Sequence, residues 1–197
     1  MRPKQRSQAM AESISPHRRI TIDEYYDMAR TGLIAPDARV ELIEGEVVHV
    51  APIGDRHGDA VEKLDELLHR AVAGRARVRC QMPVRLGRYS QPEPDLVVVR
   101  QRVGPNDRGH PSAADVFLIV EVSDSTLRYD LDVKVPLYAR HGVPEVWVID
   151  LKHHTLHLHR SPVQGSYQDI ASVPDGAPIA IPGVDSTAID LSEILNG

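Results

Sequence analysis

Three spacings of apolar residues along the chain predict its principal elements. Near-continuous apolar runs occupy 95–100, 116–122 and 145–151, and such runs are typical of central strands that are buried on both faces. Apolar residues recur at three- and four-residue steps over 57–73, which predicts an amphipathic helix that ends at Gly74. Strict alternation over 77–86 predicts a half-buried strand whose apolar side is formed by Val78, Cys80, Met82, Val84 and Leu86.

Shorter signals complete the predicted order of elements. Thr21 and Glu24 form a capping box for a helix over 21–30, and Glu44-Gly45 is the turn of a hairpin over 40–50. The remaining expectations are a helix over 132–141 with Pro136 in its first turn, a strand over 155–160, a loop-rich segment over 161–185 and a short helix over 191–195. The order helix, three strands, helix, strand, with additions at both ends, predicts an α/β fold with a mixed central sheet.

The composition is that of one globular domain. The 197 residues are 42% hydrophobic and 26% charged, which is enough apolar material for a real core. Residues 1–16 contain no apolar stretch, so we interpret them as a disordered lead-in and 17–197 as a single domain. The net charge of −5 gives no overall basic signal for nucleic acid, and no segment is apolar enough to span a bilayer. Cys80 is the only cysteine, which excludes an internal disulfide, and we expect a cytoplasmic protein.

Two carboxylates lie at the ends of predicted buried strands. Asp95 opens the first of these strands and Glu121 closes the second, so adjacent strands would bring their side chains together. Hard oxygen ligands of this kind suit Mg²⁺ or Mn²⁺, and the Val122 carbonyl could supply a further ligand. Lys134 would orient or deprotonate the attacking water, or neutralise charge in the transition state. The alternatives are carboxylates capped by water or arginine, and a surface ion pair between Lys134 and Asp130.

Two further groups of polar residues are interpreted as solvent-facing. His157 and His159 share one face of a strand and follow His153 and His154, but a zinc site requires three or four ligands that converge. Four arginines lie on or beside the exposed side of the alternating strand, where contact with phosphate and a plain charged surface are both open: Arg77, Arg79, Arg85 and Arg88. Trp147, among valines and isoleucine, is interpreted as a core residue.

A connected series of motifs resembles a known family. The series comprises Glu-Leu-Ile-Glu-Gly-Glu at 41–46, Arg56-His57, Pro-Asp-Leu at 94–96, Glu-Val-Ser-Asp-Ser-Thr at 121–126, Asp130, Lys134, Leu-Tyr-Ala at 137–139 and Gly-Val-Pro-Glu-Val-Trp-Val-Ile-Asp at 142–150. It is similar to the Uma-two family of restriction endonuclease-like proteins, within the PD-(D/E)XK nuclease superfamily. The resemblance covers about 21–195 and implies a restriction endonuclease-like αβββαβ core.

The resemblance also implies roles for single residues. Asp95 matches the motif aspartate and Glu121 the acidic residue of the next core strand, at a Mg²⁺-dependent phosphodiesterase site. The usual lysine two positions later is absent because the chain has Ser123 there, and Lys134 on the following helix takes its place. Glu41, in the family's Glu-Leu-Ile pattern, is preferred over Glu44 as a further acidic residue near the metal. His57 would hydrogen-bond a phosphate or a ligand carboxylate, unless it bonds only locally at the start of its helix.

These residues predict a Mg²⁺- or Mn²⁺-dependent endonuclease that hydrolyses nucleic acid, with DNA as the expected substrate and a homodimer as a possible assembly. The principal alternative is a catalytically silent nucleic-acid- or protein-binding regulatory protein on the same fold. The negative charge and the lack of an appended DNA-binding module favour that alternative, and the intact set Asp95, Glu121 and Lys134 argues against it. A metal hydrolase for another phosphate ester would share the site and differ only in its substrate.

Overall fold

The computed structural model describes residues 18–101, 109–174, 178–184 and 188–196, and the predicted lead-in at 1–16 lies outside them. The helices are α1 (Ile22–Arg30), α2 (Asp55–Val72), α3 (Leu127–Tyr129), α4 (Val135–Arg140) and α5 (Ser192–Leu195), with a π-helical segment, Asp130–Lys134, between α3 and α4. The strands are β1 (Val40–Ile43), β2 (Glu46–His49), β3 (Ala76–Cys80), β4 (Leu96–Arg100), β5 (Val116–Ser123), β6 (Glu145–Asp150), β7 (Thr155–Val163), β8 (Ser166–Pro174), β9 (Ile179–Ala180) and β10 (Ala188–Ile189). No helix in these ranges is long and apolar enough to cross a membrane.

A six-stranded sheet in the order β3-β4-β5-β6-β7-β8 forms the centre of the domain. β5 and β6 are parallel and every other neighbouring pair in this sheet is antiparallel, which confirms the predicted α/β fold with a mixed central sheet. The connection from β5 to β6 crosses through α3 and α4, because parallel strands need a long crossover. The core order α2, β3, β4, β5, α3–α4, β6 is the αβββαβ order that the motifs imply.

Both faces of the central strands are covered, which explains their continuous apolar runs. Val98, Val120 and Trp147 pack on one face with the apolar stripe of α2, which includes Leu64 and Leu68. The intervening residues of the same strands, such as Val97, Ile119 and Val148, pack on the other face with Leu137 and Tyr138 of α4. Successive side chains in a strand point to opposite faces, so a strand covered on both sides must be apolar at every position. Replacing Leu64 with alanine would cost about 2–5 kcal/mol of stability.

The alternating strand predicted over 77–86 is shorter than its pattern suggests. β3 ends at Cys80 because Gln81 adopts a left-handed conformation with φ of 48°, which turns the chain out of the sheet. As a result Cys80 is exposed and Met82 is 40% exposed, which contradicts their prediction as core residues. Val84 and Leu86 are buried as predicted, but in a loop that is held by isolated bridges rather than in the strand.

The C-terminal part corrects a second prediction, because the segment 161–185 is not mainly loop. β7 continues to Val163 and turns through Gln164-Gly165 into the nine-residue strand β8. Both turn residues have positive φ, 50° and 81°, which is the geometry of a tight hairpin turn. β8 pairs along its length with β7 and forms one edge of the central sheet.

The N-terminal lobe, made of α1 and the β1–β2 hairpin, is attached beside the end of the sheet. The capping box of Thr21 and Glu24 forms as predicted, and the hairpin turns at Gly45, where φ is 87°. A Cβ at Gly45 would lie 2.5 Å from Arg19 Cβ, so the turn and the contact both require glycine. Gln91 N–H donates to Leu42 O at 2.7 Å, which fastens β1 to the segment before β4. This attachment brings Glu41 to the end of the central strands.

Candidate active site

A cavity of about 770 Å³ lies between the N-terminal lobe and the end of the central sheet. The sequence-predicted site residues line it together: Glu41, His57, Asp95, Glu121, Val122 and Lys134. They come from five separate parts of the chain, namely β1, α2, the residue before β4, the end of β5 and the π-helical segment. The fold therefore brings together residues that are up to 93 positions apart in sequence.

Asp95 lies immediately before β4 and is held against the neighbouring strand. Its Oδ2 accepts the Val122 N–H at 2.8 Å and lies 3.2 Å from His57 Nε2. The hydrogen bond to Asp95 raises the pKa of His57, although burial of the ring acts in the opposite direction. Within the described chain, Asp95 Oδ1 accepts no hydrogen bond, so one carboxylate oxygen remains available to the cavity. His57 therefore acts on Asp95 and is not merely bonded to its own helix.

Glu121, near the end of β5, is 2% exposed and is paired with a buried lysine. Lys134 Nζ lies 3.2 Å from Glu121 Oε1, and the Tyr138 hydroxyl donates to the same oxygen at 2.5 Å. Burial raises the pKa of Glu121 above its ordinary value, and the positive charge of Lys134 acts against this shift and favours the carboxylate. Burial disfavours the ammonium of Lys134, but Glu121 and Glu41 more than compensate and hold its pKa above the ordinary value. Lys134 is accordingly the positive centre of the site.

Glu41, on β1, is the third member of this charged cluster. Its Oε1 lies 3.3 Å from Lys134 Nζ and accepts the Glu93 N–H at 3.0 Å. Glu44 lies elsewhere, on the exposed turn, where it forms an ion pair with Arg140 at 3.0 Å. Of the two carboxylates that the sequence left in competition, the structure brings Glu41 to the lysine and leaves Glu44 at the surface.

The helix that follows β5 explains how Lys134 reaches the site. It was predicted over 132–141, but helical structure begins at Leu127, and the π-helical turn Asp130–Lys134 precedes α4. Pro136 is the second residue of α4, directly after the π-helical turn, in which Val135 N–H bonds Asp130 O, so helical structure precedes the proline that was predicted in the first turn of the helix. Asp130 and Lys134 are both buried, so the alternative of a surface pair between them is wrong. Asp130 instead accepts hydrogen bonds from Ser123 Oγ at 2.7 Å and Thr126 Oγ1 at 2.6 Å.

The donor set fits a small divalent cation. No group of three or more His, Cys, Asp or Glu side chains in the described part of the chain is arranged to hold a metal. Mg²⁺ needs fewer, because it keeps several waters and takes one or two carboxylates together with substrate phosphate. Asp95 and Glu121 supply two carboxylates, and the Val122 carbonyl leaves the strand on the same side as the N–H that bonds Asp95.

Several residues around the site were not predicted as site residues, although Asp130 and Tyr138 belong to the motif series. Tyr129, Asp130 and Glu93 line the cavity, and Tyr138 bonds Glu121 from the next turn of the helix. Asp130, Lys134 and Tyr138 recur at four-residue steps, which places polar groups on the helix face that covers the sheet. This four-residue spacing was the sequence signal that could have identified Asp130 and Tyr138 as site residues. Glu93 and Tyr129 carry no comparable signal because their positions depend on the fold.

The other groups considered from the sequence lie away from the candidate metal ligands. His153 bonds Asp150 at 2.6 Å and His157 bonds Ser172 at 3.2 Å. His159 is buried beside Tyr167, which contradicts the solvent-facing interpretation of that residue.

Trp147 is fully buried in the core, as predicted. Arg79 and Arg85 lie near His110 at the cavity wall, where burial and then these two charges lower the pKa of His110.

Comparisons with known proteins give the family of the chain and support its fold. The family model described as "Uma2: Putative restriction endonuclease" matches residues 22–192. A solved structure titled "a putative nuclease belonging to DUF820" from Anabaena variabilis ATCC 29413 has a TM-score of 0.70 at 16% identity. That similarity covers 90% of this chain and 98% of the other, and it supports the fold. No curated protein matches the sequence. From its match over 22–192, the chain belongs to the Uma2 family.

Proposed function

We propose that this protein is a metal-dependent endonuclease that hydrolyses phosphodiester bonds in DNA. The observation that carries the proposal is the convergence of Asp95, Glu121 and Lys134 in one cavity. Family membership supports nuclease chemistry, and the donor set supports a divalent metal. We further propose that two copies act together when both strands of a duplex are cut.

In this proposal Asp95, Glu121 and the Val122 carbonyl would hold Mg²⁺ or Mn²⁺. The bound cation would supply charge stabilisation and a bound water of lowered pKa. His57 keeps Asp95 in place through the 3.2 Å contact, and Glu41 holds the Lys134 ammonium together with Glu121. Asp95 Oδ1, free of hydrogen bonds from the described residues, is the oxygen best placed to bind.

The role proposed for Lys134 follows from its charge. Because the surrounding carboxylates hold its pKa above the ordinary value, Lys134 stays protonated and acts as a cation rather than as a base. A buried ammonium aimed at the reacting phosphate would stabilise the charge that develops as water attacks phosphorus and the leaving oxygen departs. Among the roles that the sequence left open for Lys134, its positive charge supports transition-state neutralisation.

The direct test is cleavage of supercoiled and linear DNA with Mg²⁺, with Mn²⁺ and with EDTA. We expect metal-dependent cutting by the wild type and its loss in Asp95→Ala. The matched control is Asp132→Ala, because the Asp132 side chain is 69% exposed on the same helical segment as Lys134 and lies outside the cavity lining. Equal cutting by the wild type and Asp95→Ala would overturn the proposed site.

One observation favours the silent-protein alternative. The Glu121 carboxylate already has internal partners, Lys134 and Tyr138, so the charged cluster is satisfied without a metal. The two functions differ in their response to Mn²⁺, because a ligand that binds only the folded state at 100 times its Kd stabilises it by about 2.7 kcal/mol. A rise in Tm with Mn²⁺ that is absent in Asp95→Ala supports the nuclease. An unchanged Tm, together with absent cleavage, supports a binding protein.

A further inference from the structure

The cavity has a second wall of different chemistry beside the charged residues. This wall belongs to the N-terminal lobe, and most of its side chains are apolar or aromatic: Tyr25, Tyr26, Ile34, Pro36, Val48 and Val50. Most of the charged site residues, namely Asp95, Glu121 and Lys134, come from the central sheet and the π-helical segment, and Glu41 is the carboxylate that the N-terminal lobe adds to them. Apolar and aromatic walls with a few placed polar groups are typical of pockets for an organic ligand.

The apolar wall contains a buried side-chain amide, that of Gln91, with one atom that has no hydrogen-bond partner in the described residues. Gln91 is 3% exposed, and its Nε2 donates to the Tyr26 hydroxyl at 2.6 Å. Its Oε1 is buried and finds no partner among the residues that the structure describes. Exchanging the two amide atoms would leave Nε2 unpartnered in the same place, so one polar atom remains unpaired in either orientation. A polar atom buried without a partner is costly, and the edge of a nucleic-acid base supplies both donors and acceptors.

The depth of the charged cluster limits how a DNA strand can reach it. Glu121 is 2% exposed and Lys134 is 7% exposed, so a phosphate must enter the cavity to meet them. The volume of about 770 Å³ lies in the range of pockets that enclose a small ligand, which suits one or two nucleotides and not a turn of duplex. A nucleotide that enters such a space must leave its stack, at a cost that is lowest where the strand is already unpaired.

A second unpartnered group lies on the side of the cavity nearer the charged residues. The Tyr129 hydroxyl is buried, has no hydrogen-bond partner in the described chain, and belongs to the residue just before the π-helical segment. A phenol hydroxyl can donate to a phosphate oxygen. The cavity lining thus includes one residue with an unpaired amide atom and one with an unpaired hydroxyl, which are groups that can bond a base edge and a phosphate oxygen.

From these observations we propose that the cavity admits an unpaired nucleotide, whose base lies against Tyr26 and is bonded by Gln91. The substrate is then single-stranded or locally unpaired DNA rather than continuous duplex. This inference rests on the proposed nuclease function and adds the substrate class to it. Stacking on an aromatic side chain tolerates every base, so the preference concerns the unpaired state more than the sequence.

The test compares three labelled DNA substrates of one sequence, namely a single strand, a full duplex and a duplex with a central unpaired bulge. With Mn²⁺ we expect the single strand and the bulge to be cut at least about tenfold faster than the duplex. Binding of the same three substrates is followed in parallel by fluorescence anisotropy in EDTA. Cleavage of all three at equal rates, or tighter binding of the duplex, would overturn the inference.

Two variants test the wall itself. Gln91→Met keeps the side-chain volume and removes the amide, and Val48→Phe fills the apolar side and leaves the amide of Gln91 present. Each should weaken binding of the single strand about tenfold. Gln168→Met is the matched control, because Gln168 is exposed on β8, and it should bind as the wild type does. If neither cavity variant changes binding while both retain the wild-type Tm, the base site is wrong.

The parallel readouts separate this inference from the proposed function. Cleavage of no substrate, together with a single-strand preference in binding that the cavity variants remove, would refute the nuclease and retain the nucleotide site. Metal-dependent cleavage without any preference would retain the nuclease and refute the nucleotide site.

Discussion

Two neighbouring strands each carry a buried glutamate, and the partners of the two glutamates come from different parts of the fold. Glu145 begins β6 and accepts the Trp147 indole N–H at 2.6 Å and Arg160 Nε at 3.1 Å. These partners lie two residues away on the same strand and directly across on β7. Glu121, in β5, depends on Lys134 and Tyr138, which lie 13 and 17 residues later on a separate helix.

The difference separates a structural carboxylate from one that faces a site. Glu145 is satisfied within its own sheet and does not line the cavity, so its environment is complete. Glu121 lines the cavity with Lys134, and Glu41 contacts Lys134 from the N-terminal lobe. This cluster therefore links the central sheet, the π-helical segment and the N-terminal lobe. Both glutamates follow the same sequence pattern, one carboxylate at the end of an apolar run, and that pattern does not distinguish them.

The largest expected effect comes from removing the cation on the Glu121 side. Lys134→Met leaves Glu121 and Glu41 buried without a compensating charge, so the free energy of unfolding should fall by about 3–5 kcal/mol. Urea unfolding of the wild type and the variant measures this loss. Arg160→Met is the counterpart on the Glu145 side, and it should cost less because the Arg160 side chain is 33% exposed.

A double variant shows whether the loss is electrostatic. Lys134→Met combined with Glu121→Gln removes one of the unpaired carboxylates and should regain part of the lost stability. If the double variant is less stable than Lys134→Met by the full cost of a further buried substitution, lost packing rather than unpaired charge explains the effect.

The next effect tests the structural glutamate. Glu145→Ala leaves the indole N–H of Trp147 buried without its acceptor and should cost about 2 kcal/mol, measured by urea unfolding. The Mn²⁺-dependent rise in Tm should match the wild type, because Glu145 lies outside the cavity. If Glu145→Ala loses the Mn²⁺-dependent rise in Tm, Glu145 affects metal binding and is not a purely structural carboxylate.

A smaller effect is expected from Tyr138→Phe on the Glu121 side. The substitution removes the hydroxyl that donates to Glu121 and keeps the ring, which is buried against the sheet. We expect a loss of about 1–2 kcal/mol in urea unfolding, because a hydrogen bond to an ionisable group contributes about that much. Tyr167→Phe removes a hydroxyl that donates to the Val143 carbonyl at 2.8 Å and serves as the neutral comparison. An equal or larger loss in Tyr167→Phe would show that Glu121 gains nothing special from its partner.

Local periodicity made much of the fold predictable, and the elements that were missed also have a physical explanation. α2 and the strands β4, β5 and β6 follow from their apolar spacing because burial on one or both faces dictates every position. β8 was missed because it is an edge strand with mostly exposed side chains, including Ile170 at 63%, so burial leaves little pattern in it. The turn at Gln81 was missed because glutamine gives no signal for a positive φ.

The sequence predicted which residues form the site better than it predicted the contacts between them. Asp95, Glu121 and Lys134 were selected because carboxylates at buried strand ends need partners and because the motifs resemble a nuclease family. The contact between Lys134 and Glu41 spans 93 residues and depends on how the N-terminal lobe docks, which no local pattern encodes. The π-helical turn that directs Lys134 inward was likewise absent from the predicted helix, which began at 132 rather than 127.

The smallest expected effect depends on pH and concerns Asp150, another carboxylate with local partners. Burial raises the pKa of Asp150, but hydrogen bonds from the His153 side chain and backbone and from the Lys152 N–H outweigh it and bring the pKa below the ordinary value. A carboxyl group with a lowered pKa in the folded state stabilises the protein above its ordinary pKa and loses that contribution as the pH falls. Asp150→Asn should therefore cost about 1 kcal/mol at neutral pH, and the difference from the wild type should shrink below about pH 4. Urea unfolding between pH 7 and pH 3 measures it, and a difference that grows on acidification would mean that the charge of Asp150 opposes folding.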